Sequence, residues 1–283
     1  MTPFLAGLGT ALGWACATLC AAASSRRIGG AATLAWVMLS GIIVCLPLAA
    51  ATGWPEGLDV SAAGWLALSG VGNVGGLALI YAAMRTGEVG VVASIASAEG
   101  AVAALLAVSA GERPAALTMI GFLPVLIGIA LVAVPPDAVP RGPRTARPRA
   151  LALAGGAAAA FGVSLFAAGQ ASGSVPVGWV ALPARLVGVI ILGVALGAGM
   201  RPLTSLRLGR LAIATGLFEV AGILAFAWGA REGIAVTSVM ASQFSALAAL
   251  GAFVLFRERL ARRQVLGVGV LAMGVAMVAL GTA

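Results

Sequence analysis

Ten predominantly apolar stretches follow one another along the chain, at 4–23, 31–52, 62–84, 88–110, 115–134, 150–171, 178–199, 208–230, 233–256 and 262–282. A helix needs about 20 mainly apolar residues to cross a bilayer, and these stretches are of that length. The breaks between them are turn-like, among them SSRRIGG, GWPEGLD, MRTGE, GERPA, ASGSVPVG, MRPLTSLRLGR, REG and FRERLARR. The pattern predicts an all-α polytopic membrane protein with ten transmembrane helices. No basic segment precedes the first stretch, and its length suits a span, so it reads as a retained helix and not a cleaved leader.

The longest break, VPPDAVPRGPRTARPRA, is rich in Pro and Arg. It divides the chain into a first five-helix unit (1–134), a linker (135–149) and a second five-helix unit (150–283). Sliding the second unit back by 146 positions brings like onto like. Arg231 and Gly233 fall on Arg85 and Gly87, Glu258-Arg259 on Glu112-Arg113, and Gly267 and Gly274 on Gly121 and Gly128. Such co-registered residues predict a duplicated unit. An odd number of spans leaves the second copy upside down in the membrane, and inverted repeats of this kind are a construction of secondary transporters.

Composition agrees with lipid as the solvent. The chain is 61% hydrophobic and 9% charged, against about 25% charged residues in soluble domains. All 17 positive side chains are Arg, giving a formal charge of +8. They gather in short loops without an aromatic-basic stripe, so they read as topology signals and not as a nucleic-acid surface. Connections after the odd-numbered spans carry Arg26, Arg27, Arg85, Arg141, Arg144, Arg147, Arg149, Arg201, Arg207, Arg210, Arg257, Arg259, Arg262 and Arg263; the other side has Arg113 and Arg231. By the positive-inside rule the first set faces the cytoplasm and both termini lie outside. Cys16, Cys20 and Cys45 lie in apolar stretches of a chain without His, so they read as small packing residues and not metal ligands. No cofactor is called for.

A few polar residues lie near the middle of spans: Asn73, Glu99, Arg185, Glu219 and Gln243. Glu219 is the repeat mate of Asn73, and Gln243 that of Ser97, two residues before Glu99. An unpaired charge at a helix centre costs about 2.5–3.5 kcal/mol, so these groups turn inward, to one another or to water. Arg185 is placed to pair with Glu219 or Glu99. A carboxylate left without a partner becomes a candidate for proton exchange. Asn73 and Gln243 could equally be interhelical hydrogen-bond glue, and the Arg185 pair a structural brace. Glu112 and Glu258, at loop edges, read as end caps. Trp14, Phe161 and Tyr81 could wall a cavity or simply pack in the bundle. Trp54, Trp65 and Trp179 read as interfacial anchors.

The segment SAEGAVAALLAVSAGERP (97–114), with SQFSALAALGAFVLFRERL (242–260), resembles the EamA-type ten-helix exporters of the drug/metabolite transporter superfamily. In that family the fourth and ninth helices end in a Gly-Glu-Arg-like turn, and the fifth and tenth carry spaced glycines. The resemblance covers essentially the whole chain. SAEGAVAALL is similar to the Ser-x-Glu-Pro-x-x-Ala-Ala stretch of amino-acid exporters of the threonine/homoserine type. Glu99 falls on its acidic position, and Gly100 stands where that stretch has Pro, removing the residue that would enforce a helix break. Arg185 matches an Arg that the family often carries in the seventh helix, whereas the second helix here has none.

What the resemblance implies is export of amino acids or similar metabolites, driven by their gradient or by proton exchange. It also implies cytoplasmic termini, the reverse of the Arg count, which is followed here. The residues are thus expected to form a secondary transporter of the bacterial inner membrane. Glu99, Glu219, Arg185, Asn73, Gln243, Trp14, Phe161 and Tyr81 would line the substrate site, and Glu99 and Glu219 would be the proton-coupling groups. The expected partners are a small-molecule metabolite and the lipid bilayer, with no nucleic acid, and the protein would be a monomer or a homodimer. A non-transporting scaffold or receptor is the alternative. An intramembrane enzyme would have to work through the carboxylates alone, because Ser-His chemistry needs a His.

Overall fold

The structure, a computed structural model, describes residues 1–86, 95–133, 147–199, 205–256 and 262–281. Among the described residues every regular element is an α-helix. They are α1 (Thr2–Ile28), α2 (Gly30–Ala51), α3 (Val60–Thr86), α4 (Glu99–Ser109), α5 (Ala116–Ala133), α6 (Arg147–Ser172), α7 (Val177–Gly197), α8 (Leu206–Ala230), α9 (Ile234–Ala241), α10 (Phe244–Phe256) and α11 (Arg262–Gly281). Six apolar segments, in α1, α2, α3, α6, α7 and α8, are long enough to span a bilayer, and four shorter ones, one of them running through α9 into α10, complete ten. Most of the Pro/Arg-rich linker lies outside the described residues.

Eight of the ten predicted spans correspond to one helix each, and two do not. The expected continuous ninth span (233–256) is two helices, α9 and α10, separated at Ser242-Gln243. The expected fourth span is interrupted by a turn at Ser97-Ala98, after which α4 begins at Glu99. Neither break needs proline. At the second, Ser242 Oγ donates to the Val239 carbonyl (2.8 Å) and Gln243 Nε2 to Met240 Sδ (3.2 Å). Such local bonds compete with the helical ladder.

The packing of the helices is symmetric under exchange of the two halves of the chain. Its helix pairs are α1 with α8 and α3 with α6, α2 with α7, and α5 with α11. These pairs map onto one another or onto themselves when the units are exchanged. Individual contacts recur too. A Cβ on Gly128 would lie 2.6 Å from the Leu271 backbone nitrogen, and one on Gly274, the repeat mate of Gly128, 2.6 Å from that of Val125, the mate of Leu271. Likewise Gly70 abuts Pro183, while its mate Gly216 abuts Val37, the mate of Pro183. Small residues let helix backbones approach closely in lipid, where hydrophobic burial cannot drive association. The same crossing is therefore made twice, by the same residue type, at positions 146 residues apart. Leu5, Leu12, Ile43, Leu105, Ile190 and Val194, all more than half exposed, form part of the apolar exterior that a bilayer would cover.

Candidate functional site

The two broken spans meet. Gly100, in the first turn of α4, lies against the Ser238 carbonyl and the Ser242 side chain, and a Cβ there would fall 2.6 Å from Ser242 Cβ. Glycine at this position therefore lets the two interruptions touch. Glu99 stands beside it as the first residue of α4, only 6% exposed. The free N–H groups of a helix's first turn favour negative charge there. Among the described residues no donor or cation reaches the Glu99 carboxylate; the ionised group that acts on it is Glu219.

Arg185 pairs with Glu219. Its Nη2 donates to Glu219 Oε2 at 2.9 Å, joining α7 to α8. The guanidinium is nearly fully buried (3%), the carboxylate side chain less so (24%). Arg185 Nη1 approaches Met38 Sδ at 3.7 Å, Nε is buried without a partner, and the Cys45 thiol lies beside it. Gly41 makes room: a Cβ on it would be 2.6 Å from Arg185 Cδ. The sequence left two partners open for Arg185. The structure gives it to Glu219 and leaves Glu99 unpaired. With both glutamates ionised, the three groups carry a net −1.

The other predicted residues distribute around this cluster. Trp14 stacks on Phe226 (6.5 Å between ring centroids), meets Phe244 edge-on (6.1 Å), and its ring covers Gly222, one turn along α8 from Glu219. Phe161 covers Gly76, the repeat mate of Gly222, one turn from Asn73. Its neighbour Gly162 abuts the Glu99 carbonyl and Val102. Thus one aromatic flanks the Glu219 position and another its repeat equivalent. Asn73 Oδ1 is buried with no partner, and the residue makes no bond to Glu99, Glu219 or Arg185. Gln243 is buried at the α9–α10 break, bonded to Met240. The Tyr81 side chain falls outside the described ones.

Sequence reasoning missed several groups. Met38, Gly41 and Cys45 surround Arg185, and the hydroxyls of Ser238 and Ser245 are buried without partners near the α9–α10 break. A serine in a small-residue helix carries no signal of which way it points. Only the repeat position of Ser97 and Gln243 hinted that this depth was special.

Glu112 does cap a helix, but one of the opposite unit. Its two oxygens accept from the backbone N–H groups of Ile234 (2.7 Å) and Ala235 (2.9 Å) at the start of α9. Glu258 lies outside the described residues. Trp54 and Trp179 meet edge-on (5.3 Å), and Trp179 Nε1 donates to the Gly53 carbonyl (3.2 Å), at the ends of α2 and α7. Trp65 instead packs against Phe166. Two cavities, of about 650 and 430 Å³, open between helix ends; neither is lined by Glu99, Glu219 or Arg185.

Residues 1–134 match the sequence model of the EamA-like transporter family. Over that stretch, a little under half of its length, the chain is similar to the EamA-like transporter family. No curated protein matches it. A solved crystal structure is similar with a TM-score of 0.77 and 17% identity, covering 98% of this chain and 96% of the other, and so shares the fold from end to end. The apolar helices make the chain a multi-pass membrane protein, and its first 134 residues are similar to a family of transporters.

Proposed function

We propose that the protein is a secondary transporter, not an enzyme, that exports a small amine-bearing metabolite, an amino acid in the first instance, across the bacterial inner membrane. The observation that carries this reading is the unpaired Glu99 carboxylate at the crossing of two broken spans, within electrostatic reach of Glu219 of the Arg185–Glu219 pair. Because Arg185 is already held by Glu219, the free electrostatic capacity of the cluster is negative. It suits an ammonium group, with Trp14 and Phe161 offering aromatic faces nearby. Glu99 would alternate between a proton and the substrate amine, which couples export to proton entry. Units 1–134 and 150–283 would rock about their shared axis, as inverted-repeat transporters do. The Arg-rich connections would face the cytoplasm, with both termini outside.

The position of the two cavities, away from this cluster, favours the scaffold reading. The transporter reading requires the crossing at Glu99 to open during transport. Counterflow separates them. Purified protein in liposomes preloaded with unlabelled amino acids, amines or sugars should accumulate at least one labelled amine-bearing compound. Failure with every compound, in protein that is folded and inserted, removes the transporter reading.

A further inference from the structure

We infer that the groove between α2, α7 and α8 is a binding site for an anionic phospholipid of the surrounding bilayer. The cavity, about 650 Å³, lies at the end of the bundle opposite the arginine-rich connections. Its volume falls within the 300–1,000 Å³ typical of ligand pockets. Leu48, Val177, Leu224 and Trp228 line it, and Gly178 forms its floor, where α7 comes within 3.1–3.2 Å of the α2 backbone measured from an added Cβ. Arg231 is the one charged residue of the lining among the described residues.

Three features select the occupant. First, the groove has a direction. From Arg231 to Leu224 is seven residues of α8 and its end, about 10 Å at 1.5 Å per residue. The site therefore begins with a cation at the bundle end and continues as apolar wall into the hydrocarbon, the profile of a lipid headgroup and acyl chain. Second, the guanidinium is aimed and rigid. Arg231 Nε donates to the Ser172 carbonyl (2.8 Å) and Nη2 to that of Val175 (2.9 Å), leaving Nη1 without an acceptor among the described residues. Third, no carboxylate lines this groove: Arg231 borders it and also the neighbouring 430 Å³ cavity, and Glu112 and Glu232 line only the latter. The start of α7 adds to the field: its N-cap is Pro176 and no side chain caps it, so its first N–H groups present the positive end of a 21-residue helix to the same groove. Trp228, 64% exposed, stands beside the mouth, where an amphipathic ring suits the interface.

The inference does not rest on the transport reading. It is tested on the full chain extracted in mild detergent and offered equimolar phosphatidylglycerol and phosphatidylcholine, with retained lipid counted by native mass spectrometry. The wild type should retain phosphatidylglycerol about fivefold over phosphatidylcholine, the preference expected for one arginine at an anionic lipid surface. Arg231→Gln should abolish that preference. Leu48→Trp, which fills the groove and leaves Arg231 and its bonds in place, should lower retention of both lipids. Equal retention by the wild type, or an unchanged preference in Arg231→Gln, overturns the site. If Arg231→Gln does not fold, Leu48→Trp decides, and undiminished phosphatidylglycerol binding in it overturns the site too.

Discussion

Removing the two members of the Arg185–Glu219 pair one at a time should be unequally costly, and the order follows from their burial. In Glu219→Gln the guanidinium keeps its place at 3% exposure, with Nε already unpartnered and the soft sulfurs of Met38 and Cys45 as its remaining neighbours. Breaking a buried pair in this way costs about 3–5 kcal/mol, and the residual carbonyl of Gln lowers that to about 2–3 kcal/mol. In Arg185→Met the stem still fills the space over Gly41, and Glu219, at 24% exposure, keeps access to water. The expected cost is about 1 kcal/mol. The double variant should be less destabilised than the sum of the singles, by about 1–2 kcal/mol, because no lone charge remains. Denaturation in mixed micelles, followed by tryptophan fluorescence, measures all four corners of the cycle. Additivity within about 0.5 kcal/mol, or a larger cost for Arg185→Met, would refute the pairing as described.

Other substitutions test the repeat and the break. Gly128→Ala and Gly274→Ala place a methyl against helix backbone in mirrored positions, and each should cost about 2 kcal/mol in thermal unfolding. Gly155→Ala, in a helix interior with open space around it, should instead be neutral or stabilising by about 0.5 kcal/mol. Glu112→Gln loses a charge-assisted double cap and should cost about 1–2 kcal/mol, with faster hydrogen exchange at Ile234 and Ala235 than elsewhere in α9. Gly100→Leu should part the two broken spans and abolish flux while leaving membrane insertion intact; undiminished flux would mean that this crossing is dispensable.

The sequence made the architecture legible because lipid imposes a simple rule on it: long apolar runs, charges at their ends. The 146-residue register could be read because the residues that carry it, Gly121, Gly128, Gly267 and Gly274, belong to a helix type whose packing depends on glycine. The reciprocal Gly128–Leu271 and Gly274–Val125 contacts are the outcome. The breaks were hidden for the converse reason. No proline marks them, and the serine and glutamine that make the bonds at the second break look like any polar residue in a small-residue helix. Arg185 could be assigned to an inward face by cost alone, but choosing Glu219 over Glu99 needed distances. Met38, Gly41 and the unpartnered hydroxyls of Ser238 and Ser245 were beyond a reading by periodicity, since neither their direction nor their neighbours is local.

The central claim is that Glu99, left without a counter-charge at the crossing, is the group that exchanges proton for substrate. The direct measurement is substrate flux into proteoliposomes with and without an imposed pH gradient, comparing wild type with Glu99→Gln. The wild type should show gradient-driven flux, and the variant should lose its response to the gradient while Glu219→Asp retains it. Gradient-driven flux of equal size in Glu99→Gln would contradict the account.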